Sequence, residues 1–263
     1  MNRVGAGWSR WATALLWLAV PAWGAEPQQQ LNVVDKAVEA HGGKLFEASE
    51  TTLEMCSKSG CFDVRSRVDG GRFEHEVTGR VSDGVRRVVS TNDRVDVFLD
   101  GKPVEVAEGK AQAYRDWAMA RVYFCFLPYR LNDPGVRKQD LGVEEWDGRS
   151  LRRVRVTFPA GSSTDADDVY VYWFDETSGR LALFAYSYSG DPGGLRFRRL
   201  KNYRRVGGLL FYDQENLGTE DPDVDVDALS PSTVKTLRAI SEVELRNIEV
   251  RTLSGAAVKE PSR

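Results

Sequence analysis

The chain has 263 residues, 36 basic and 39 acidic side chains, and a formal net charge of −3. This acidic balance provides no general attraction to a polyanion, so we expect no nucleic-acid partner. A chain of this length forms one β-rich domain or two smaller domains.

The first 24 residues have the order of a secretory signal peptide. Two arginines precede an apolar run over residues 11–20, which ends at Pro21 before small residues. The run is shorter than the roughly 20 apolar residues that span a membrane. No Cys follows it for lipid attachment. We therefore expect cleavage of residues 1–24, which removes two basic residues and leaves a net charge of −5. The mature chain is predicted to be a soluble periplasmic protein without a transmembrane segment.

No linker, low-complexity stretch or internal repeat divides the middle of the chain. The sequence therefore predicts a single β-rich domain over residues 25–253. Residues 254–263 are polar and lack a periodic apolar pattern, and we expect a flexible C-terminal tail there.

Two segments have helical periodicity. Residues 30–41 carry apolar side chains three and four residues apart and stop at Gly42-Gly43. Residues 110–127 contain neither Pro nor Gly and repeat apolar side chains at the same steps until Pro128. We predict a helix over each segment.

Most of the remaining chain alternates with a period of two between turn residues, which is typical of antiparallel strands. The predicted strands cover residues 52–56, 61–68, 72–78, 85–90, 94–99, 102–106, 151–158, 168–174, 181–188, 195–205, 209–215 and 241–252.

The hairpin YVYWFDETSGRLALFAY is apolar on both faces. A register with Asp175 facing Arg180 pairs Phe174 with Leu181. The same register sets Tyr172 against Leu183 and Tyr170 against Ala185 on one face, and Trp173 against Ala182, Val171 against Phe184 and Val169 against Tyr186 on the other.

A sheet of this kind is covered on both sides or borders a cavity, and only two substantial helices are available to cover it. We therefore predict an α+β fold, mainly β, with a curled antiparallel sheet shaped as a half-barrel. The two helices cover its concave side, and incomplete filling leaves an apolar pocket.

The three cysteines form an odd set for an exported chain. Cys56 and Cys61 flank Ser-Lys-Ser-Gly in a predicted hairpin and would face each other across its strands. A disulfide is the favoured interpretation, and metal binding is the weaker alternative because no second pair of ligands follows. Cys125 lies between aromatic residues and is predicted to be a buried apolar side chain.

Several motifs resemble an uncharacterised exported bacterial family. They are His41-Gly42-Gly43, FLPYRLNDPGV, RVRVTFP, DDVYVYWFDETSGRL, AYSYSG and GGLRFRRLKNYRRVGGLLFYDQEN. That family is similar in architecture to the outer-membrane lipoprotein-sorting proteins, the LolA-like half-barrels. The resemblance implies an antiparallel half-barrel whose helices close an apolar cavity for acyl chains. Fold alone does not determine function.

The candidate cavity residues come from the second helix, its exit and the two-faced hairpin. Ordinary core packing remains the alternative for all of them, because most aromatic stripes at helical spacing are core. The predicted set is Trp117, Phe124, Phe126, Leu127, Tyr129, Val171, Trp173, Phe184 and Tyr186.

Residue types that carry chemistry are scarce. His41 and His75 are the only histidines, and no Gly-x-Ser-x-Gly motif is present. We predict no catalytic residue, no metal site and no cofactor. A basic run over residues 196–205 is either a solvated outer face or a contact for anionic lipid headgroups.

Three functional hypotheses follow. The leading one is a periplasmic, non-enzymatic binding protein that shelters an apolar ligand, such as a lipid or a lipoprotein acyl chain. The second is a cell-envelope interaction or scaffold protein with a filled core, whose partners are other envelope proteins. The third is a hydrolase that uses His75.

Overall fold

The computed structural model describes residues 28–107, 109–158, 168–188, 193–221 and 223–253, with side chains from residue 32 onward. The predicted signal peptide, residues 1–24, and the predicted tail, residues 254–263, lie outside the described residues.

Thirteen strands pair in one antiparallel sheet. In chain order they are β1 (Ala48–Ser57), β2 (Gly60–Asp69), β3 (Arg72–Val81), β4 (Gly84–Thr91), β5 (Val95–Leu99), β6 (Lys102–Val104), β7 (Arg137–Trp146), β8 (Arg149–Thr157), β9 (Tyr170–Asp175), β10 (Leu181–Tyr188), β11 (Gly194–Val206), β12 (Leu209–Thr219) and β13 (Arg238–Thr252). Their order across the sheet is β6-β5-β4-β3-β2-β1-β13-β12-β11-β10-β9-β8-β7. The sheet curls without closing, because β6 and β7 form its two edges. The predicted fold class is confirmed.

The α-helices are α1 (Gln28–His41), α2 (Ala111–Cys125) and the short α3 (Pro231–Val234), and 3-10 turns occupy Gly43–Glu47, Tyr129–Asn132 and Val226–Ala228. The predicted helices over residues 30–41 and 110–127 correspond to α1 and α2. Gly42 ends α1 at φ 128°, and a Cβ there would lie 2.8 Å from a methyl carbon of Leu209, so a larger residue does not fit. None of the helices within the described ranges is long and apolar enough to span a membrane.

Cys56 and Cys61 occupy directly opposed positions of β1 and β2 and are joined by a disulfide. The strands continue to Ser57 and Gly60, so the turn itself consists of two residues rather than the predicted four. Cys125 is buried as a free thiol, as predicted.

The register of the β9–β10 hairpin differs from the prediction after its first pair. Phe174 pairs with Leu181 as predicted, but an irregularity between Leu181 and Leu183 shifts the partners by one residue. Phe184 therefore faces Tyr172. Because one residue of register exchanges the two faces of a strand, the aromatic side chains of β10 join those of β9 on the concave face.

Strand β7 has no counterpart among the predicted strands. Its sequence RKQDLGVEEW is rich in charge and half of its residues are exposed, which is typical of the edge of a sheet. A register irregularity between Asp140 and Gly142 also breaks the alternation that identifies a strand.

Three apolar clusters fill most of the interior. Under α2, five strands contribute Leu53, Val64, Val77, Val88 and Val97. Under α1, the concave face of the β7–β12 half of the sheet contributes aromatic residues such as Tyr172, Phe174 and Tyr212. The third cluster lies on the convex face and includes Trp146, Val171, Trp173, Leu183 and Phe197.

The convex cluster is covered by a segment in which the sequence predicts neither a helix nor a strand. Val226, Leu229 and Val234, from the 3-10 turn Val226–Ala228 through α3, pack onto it. The helices α1 and α2 are the two substantial helices that the sequence predicts, and this short irregular segment covers the convex cluster in addition to them.

The Cys56–Cys61 bond closes a short ring, so its expected contribution is small. Replacing both cysteines by serine should lower the free energy of unfolding by about 2 kcal/mol in the chain-entropy model. Urea titration of the variant and of wild type measures the difference. Wild type treated with reductant is the control and should match the variant. An unchanged unfolding midpoint in both would contradict this contribution.

The burial of His41 predicts a pH-dependent stability. Its Nε2 accepts a hydrogen bond from the Leu181 N–H at 3.2 Å, and desolvation, followed by Arg205 and Arg180, lowers the pKa of His41 to about 3. The unfolded chain binds this proton below about pH 6.5, whereas the folded chain does not. The contribution of His41 is therefore complete above pH 6.5 and is lost as the pH falls toward 3.

His41→Gln retains an acceptor and does not titrate. Between pH 7.5 and 5.5, the free energy of unfolding should fall less in this variant than in wild type. The difference between the two slopes should be up to about 1.4 kcal/mol per pH unit. Urea titrations at the two pH values measure this slope, and His75 contributes equally to both proteins. Equal slopes would show that His41 does not cause the effect.

Candidate functional site

A cavity of about 660 Å³ lies beside α2 on the concave side of the sheet. One flank is α2 and the segment that follows it, and the other is formed by the ends of β8, β9 and β10. The space between α2 and strands β1–β5 is filled by the apolar cluster there. The helix therefore has one packed side and one open side.

Aromatic side chains form most of the apolar wall. The ring of Phe124 stacks on that of Tyr186 at 5.7 Å between centroids, and Tyr186 stacks on Tyr170 at 5.1 Å. Phe158 and Tyr123 meet Tyr170 edge to face at 5.4 and 6.4 Å. Contacts of this kind hold the rings in place and leave their remaining surface toward the cavity.

The backbone explains this arrangement. Alternate residues of a strand share a face, so Tyr170 and Tyr172 of β9 point to the concave side. The irregularity near Leu183 brings Phe184 and Tyr186 of β10 to the same side, and Tyr172 stacks on Phe184 at 5.9 Å. Phe124, in the last turn of α2, then lies over both Phe184 and Tyr186.

Tyrosine hydroxyls supply the polar groups within this wall. The hydroxyls of Tyr123 and Tyr172 share a hydrogen bond of 2.6 Å. Burial raises the pKa of Tyr123, and the pKa of Tyr172 is raised for the same reason. Both tyrosines therefore remain protonated and act as hydrogen-bonding groups rather than as bases.

Charged side chains line part of the same cavity. Arg130 forms an ion pair with Asp133 at 2.7 Å. Arg115 donates to the Thr91 carbonyl at 2.5 Å and to Ser90 Oγ at 3.1 Å. The cavity thus has an aromatic wall and a charged, hydrogen-bonding border, a combination found in binding sites for small molecules.

Two arginines of the basic run over residues 196–205 lie beside the aromatic wall. The guanidinium carbon of Arg198 is 5.5 Å from the ring centroid of Phe124. The corresponding carbon of Arg196 is 4.6 Å from the ring centroid of Tyr188. These distances are within the range of cation–π contact, and both aromatic residues line the cavity.

Of the nine predicted cavity residues, Phe124 and Tyr186 line this cavity. Four others are packed in clusters on the concave side of the sheet. Trp117 contacts Phe62, and Phe126 contacts Phe211. Leu127 belongs to the cluster under α1, and Phe184 stacks against Phe124. Tyr129 stacks on Phe46 and donates to the His41 carbonyl. Val171 and Trp173 belong to the convex cluster.

Other lining residues were not predicted, among them Met119, Tyr123, Phe158, Tyr170 and Tyr188. The alternation of tyrosines in YVYWF and YSY indicated some of them, provided that β9 and β10 were aligned with the observed irregularity. Phe158 and Met119 carry no such pattern in the sequence.

His75 does not form a catalytic triad with any described residue. It lies in β3 directly opposite Ser66 and Ser90, and its Nδ1 has no hydrogen-bond partner among the residues described. Desolvation, followed by the charge of Arg130, lowers the pKa of His75 to about 3. A general base of this type is oriented by a carboxylate and has a pKa near the working pH, and His75 meets neither condition within the described residues.

One group of potential metal ligands occurs among the described residues, formed by Glu54, Cys56 and Cys61. The two cysteines are joined in a disulfide and therefore offer no thiolate to a metal.

Solved structures resemble this chain at low sequence identity. A LolA superfamily protein from Nitrosomonas europaea has a TM-score of 0.49 and 13% identity, with 85% of this chain and 94% of that chain covered. A DUF1329 family protein from Desulfovibrio piger has a TM-score of 0.48 and 13% identity, with coverages of 87% and 95%. A putative outer membrane lipoprotein-sorting protein domain from Vibrio parahaemolyticus has a TM-score of 0.42 and 13% identity, with coverages of 87% and 94%.

The resemblance to LolA-like proteins that the sequence motifs indicated is confirmed as a likeness to these structures. No curated protein matches the chain. A family model described as a family of unknown function, DUF6503, matches residues 55–244. Because this match spans more than half of the chain, the protein belongs to the DUF6503 family.

Proposed function

We propose that this protein is a non-enzymatic periplasmic binding protein that shelters an apolar ligand, a lipid or a lipoprotein acyl chain, beside α2. The cavity of about 660 Å³ and its wall of aromatic side chains carry this proposal. Its volume lies in the range of small-molecule sites, which are mostly apolar with a few placed polar groups.

The packing contrast between the two sides of α2 supports the same proposal. On the packed side, Ala118, Val122 and Cys125 are fully buried against the strands. On the open side, Met119, Tyr123 and Phe124 retain exposed surface although they are large and apolar. A ligand that covers this apolar surface removes it from water, which makes the free energy of binding more favourable.

The periplasmic location is part of the proposal and rests on the order of residues 1–24. In that compartment an acyl chain requires shelter from water, since each exposed methylene costs about 0.8 kcal/mol. Mass spectrometry of lipids extracted from protein purified from the periplasm tests both points. Recovery of consistently empty protein would count against the proposed ligand.

A ligand-blocking variant tests the cavity directly. Ala120 lines it from an exposed position on α2, so Ala120→Trp places an indole in the cavity without changing the core. The affinity for the uncharged dye Nile red, measured by fluorescence titration, should fall about tenfold or more, equivalent to about 1.4 kcal/mol.

Ala113→Trp is the matched control. Ala113 is also exposed on α2 but does not line the cavity, so this variant should bind the dye like wild type. Both variants should melt at the wild-type temperature. Equal binding by both variants would show that the dye does not enter this cavity.

The second candidate, an envelope scaffold with a filled core, is favoured by the placement of seven of the nine predicted cavity residues outside the cavity lining. Tyr186 separates the two candidates, and Trp173 is the reference for a fully buried core position. Trp173→Ala should cost about 3–5 kcal/mol of stability by urea titration, because its side chain is fully buried on the convex face. Tyr186→Ala should remain folded and bind Nile red more weakly. A folded Tyr186→Ala protein with unchanged dye binding would favour the scaffold.

A further inference from the structure

Arg115 lies in the wall of the cavity and has donors to spare. Among the described residues that line the cavity, Arg115 and Arg130 are the arginines, and Arg130 is ion-paired with Asp133. Arg115 forms no ion pair with any described residue, and both of its hydrogen bonds, to Ser90 Oγ and the Thr91 carbonyl, use Nη1. Its Nε and Nη2 donors therefore have no acceptor within the described part of the chain.

A row of buried polar residues lies behind Arg115. Strand pairing sets Thr51 opposite Ser66, Ser66 opposite His75, and His75 opposite Ser90. Each is at most 2% exposed. Directly opposed residues point to the same face of a sheet. We call these four residues the polar row.

The polar row crosses a face that is otherwise apolar. On each of these strands, the residue two positions away from the row on the same face belongs to the cluster under α2. These residues are Leu53, Val64, Val77 and Val88. Ser66 Oγ and His75 Nδ1 have no hydrogen-bond partner among the described residues. A buried polar group in this state costs about 1–3 kcal/mol, so valine at these positions would serve packing better.

The polar row meets the cavity at two side chains. Phe73 lines the cavity, and its ring stacks on His75 at 4.7 Å between centroids. Arg115 lines the cavity and reaches Ser90, the outer member of the row. The polar row therefore lies behind Phe73 and Arg115 at this end of the cavity, while Tyr170 and Tyr186 form the aromatic wall.

The carboxylates that also line the cavity have partners of their own. Asp133 is paired with Arg130, and Asp116 accepts a hydrogen bond from the Gln112 amide at 2.7 Å. Asp168 also has a partner of its own. The guanidinium of Arg115 is thus available to an anionic group that enters from the cavity.

We propose that Arg115, positioned by Ser90 of the polar row, forms a head-group subsite that binds the carboxylate of an amphipathic ligand whose apolar chain occupies the cavity. This inference rests on the proposed binding function. A guanidinium presents parallel N–H donors that match a carboxylate, and Nε and Nη2 of Arg115 remain for it while Nη1 is held by Ser90 Oγ and the Thr91 carbonyl. The row itself adds no charge that would oppose an anion.

Paired ligands of equal chain length test the subsite. Palmitic acid and hexadecanol differ only in the head group, and each is titrated against Nile red bound to the full mature chain at pH 8. Wild type should bind palmitate about tenfold to a hundredfold more tightly than hexadecanol, the range of a hydrogen bond to a charged group. Arg115→Gln should remove this preference and leave the affinity for hexadecanol unchanged.

Arg130→Gln is the matched control, since Arg130 lines the same cavity but is already paired. This variant should keep the preference for palmitate. Loss of the preference in Arg130→Gln, or its retention in Arg115→Gln, would overturn the subsite while leaving the proposed function intact. Failure of wild type to bind the dye or either ligand would instead overturn the proposed function.

Variants of the polar row provide a second measurement that does not depend on the folding of Arg115→Gln. Ser90→Ala removes the hydroxyl that accepts a hydrogen bond from Arg115 Nη1, so the affinity for palmitate should fall while the affinity for hexadecanol stays unchanged. Ser49→Ala is the control, because Ser49 is equally buried but donates to the Phe46 carbonyl. Its melting temperature should fall with no change in the preference for palmitate. Unchanged palmitate affinity in Ser90→Ala would remove the row from the subsite.

Discussion

The attachment of α2 to the concave face decides where this molecule is filled and where it is open. The last carbonyls of an α-helix lack partners within the helix. Here the hydroxyl of Tyr212 donates to the carbonyls of Phe124 and Leu127 at 3.3 and 3.2 Å, and the amide of Gln214 donates to that of Phe124 at 2.9 Å. Arg115 ties the first half of the helix to the end of β4.

This attachment gives α2 two unlike sides. Its small residues, Ala118 and Cys125, allow close contact with the valines of β2–β5. Its large residues Tyr123 and Phe124 face the aromatic wall across the cavity. The convex face of the β7–β12 half of the sheet is covered by the segment that contains Val226 and Leu229. The two apolar faces of the sheet therefore have different covers, and only the concave one is incomplete.

The sequence predicted the elements with local causes. Gly42 ends α1 and Pro128 follows the end of α2, because these residues stop a helix whatever surrounds it. The pairing of Cys56 with Cys61 was predicted because both residues flank one short turn. The first hairpin pair, Phe174 with Leu181, was likewise predicted, since the turn between them sets it.

The errors have non-local causes. The shift near Leu183 moved Phe184 to the opposite face from the prediction, where its ring stacks against Phe124 of α2. Strand β7 was missed because an edge strand shows exposed charge instead of alternation. Phe124 and Tyr186 were the members of the predicted cavity set that line the cavity.

The sequence by itself determined the mainly β composition, the helices, the hairpins and the Cys56–Cys61 pair, because near neighbours in the chain and side-chain periodicity specify these features. Only the tertiary structure decided which faces are covered, where the cavity lies, and that Arg115 meets Ser90 across 25 residues of chain. Such contacts form when whole helices and strands pack together. The periodicity of one element shows which of its faces is apolar but does not identify the distant residues that pack against it.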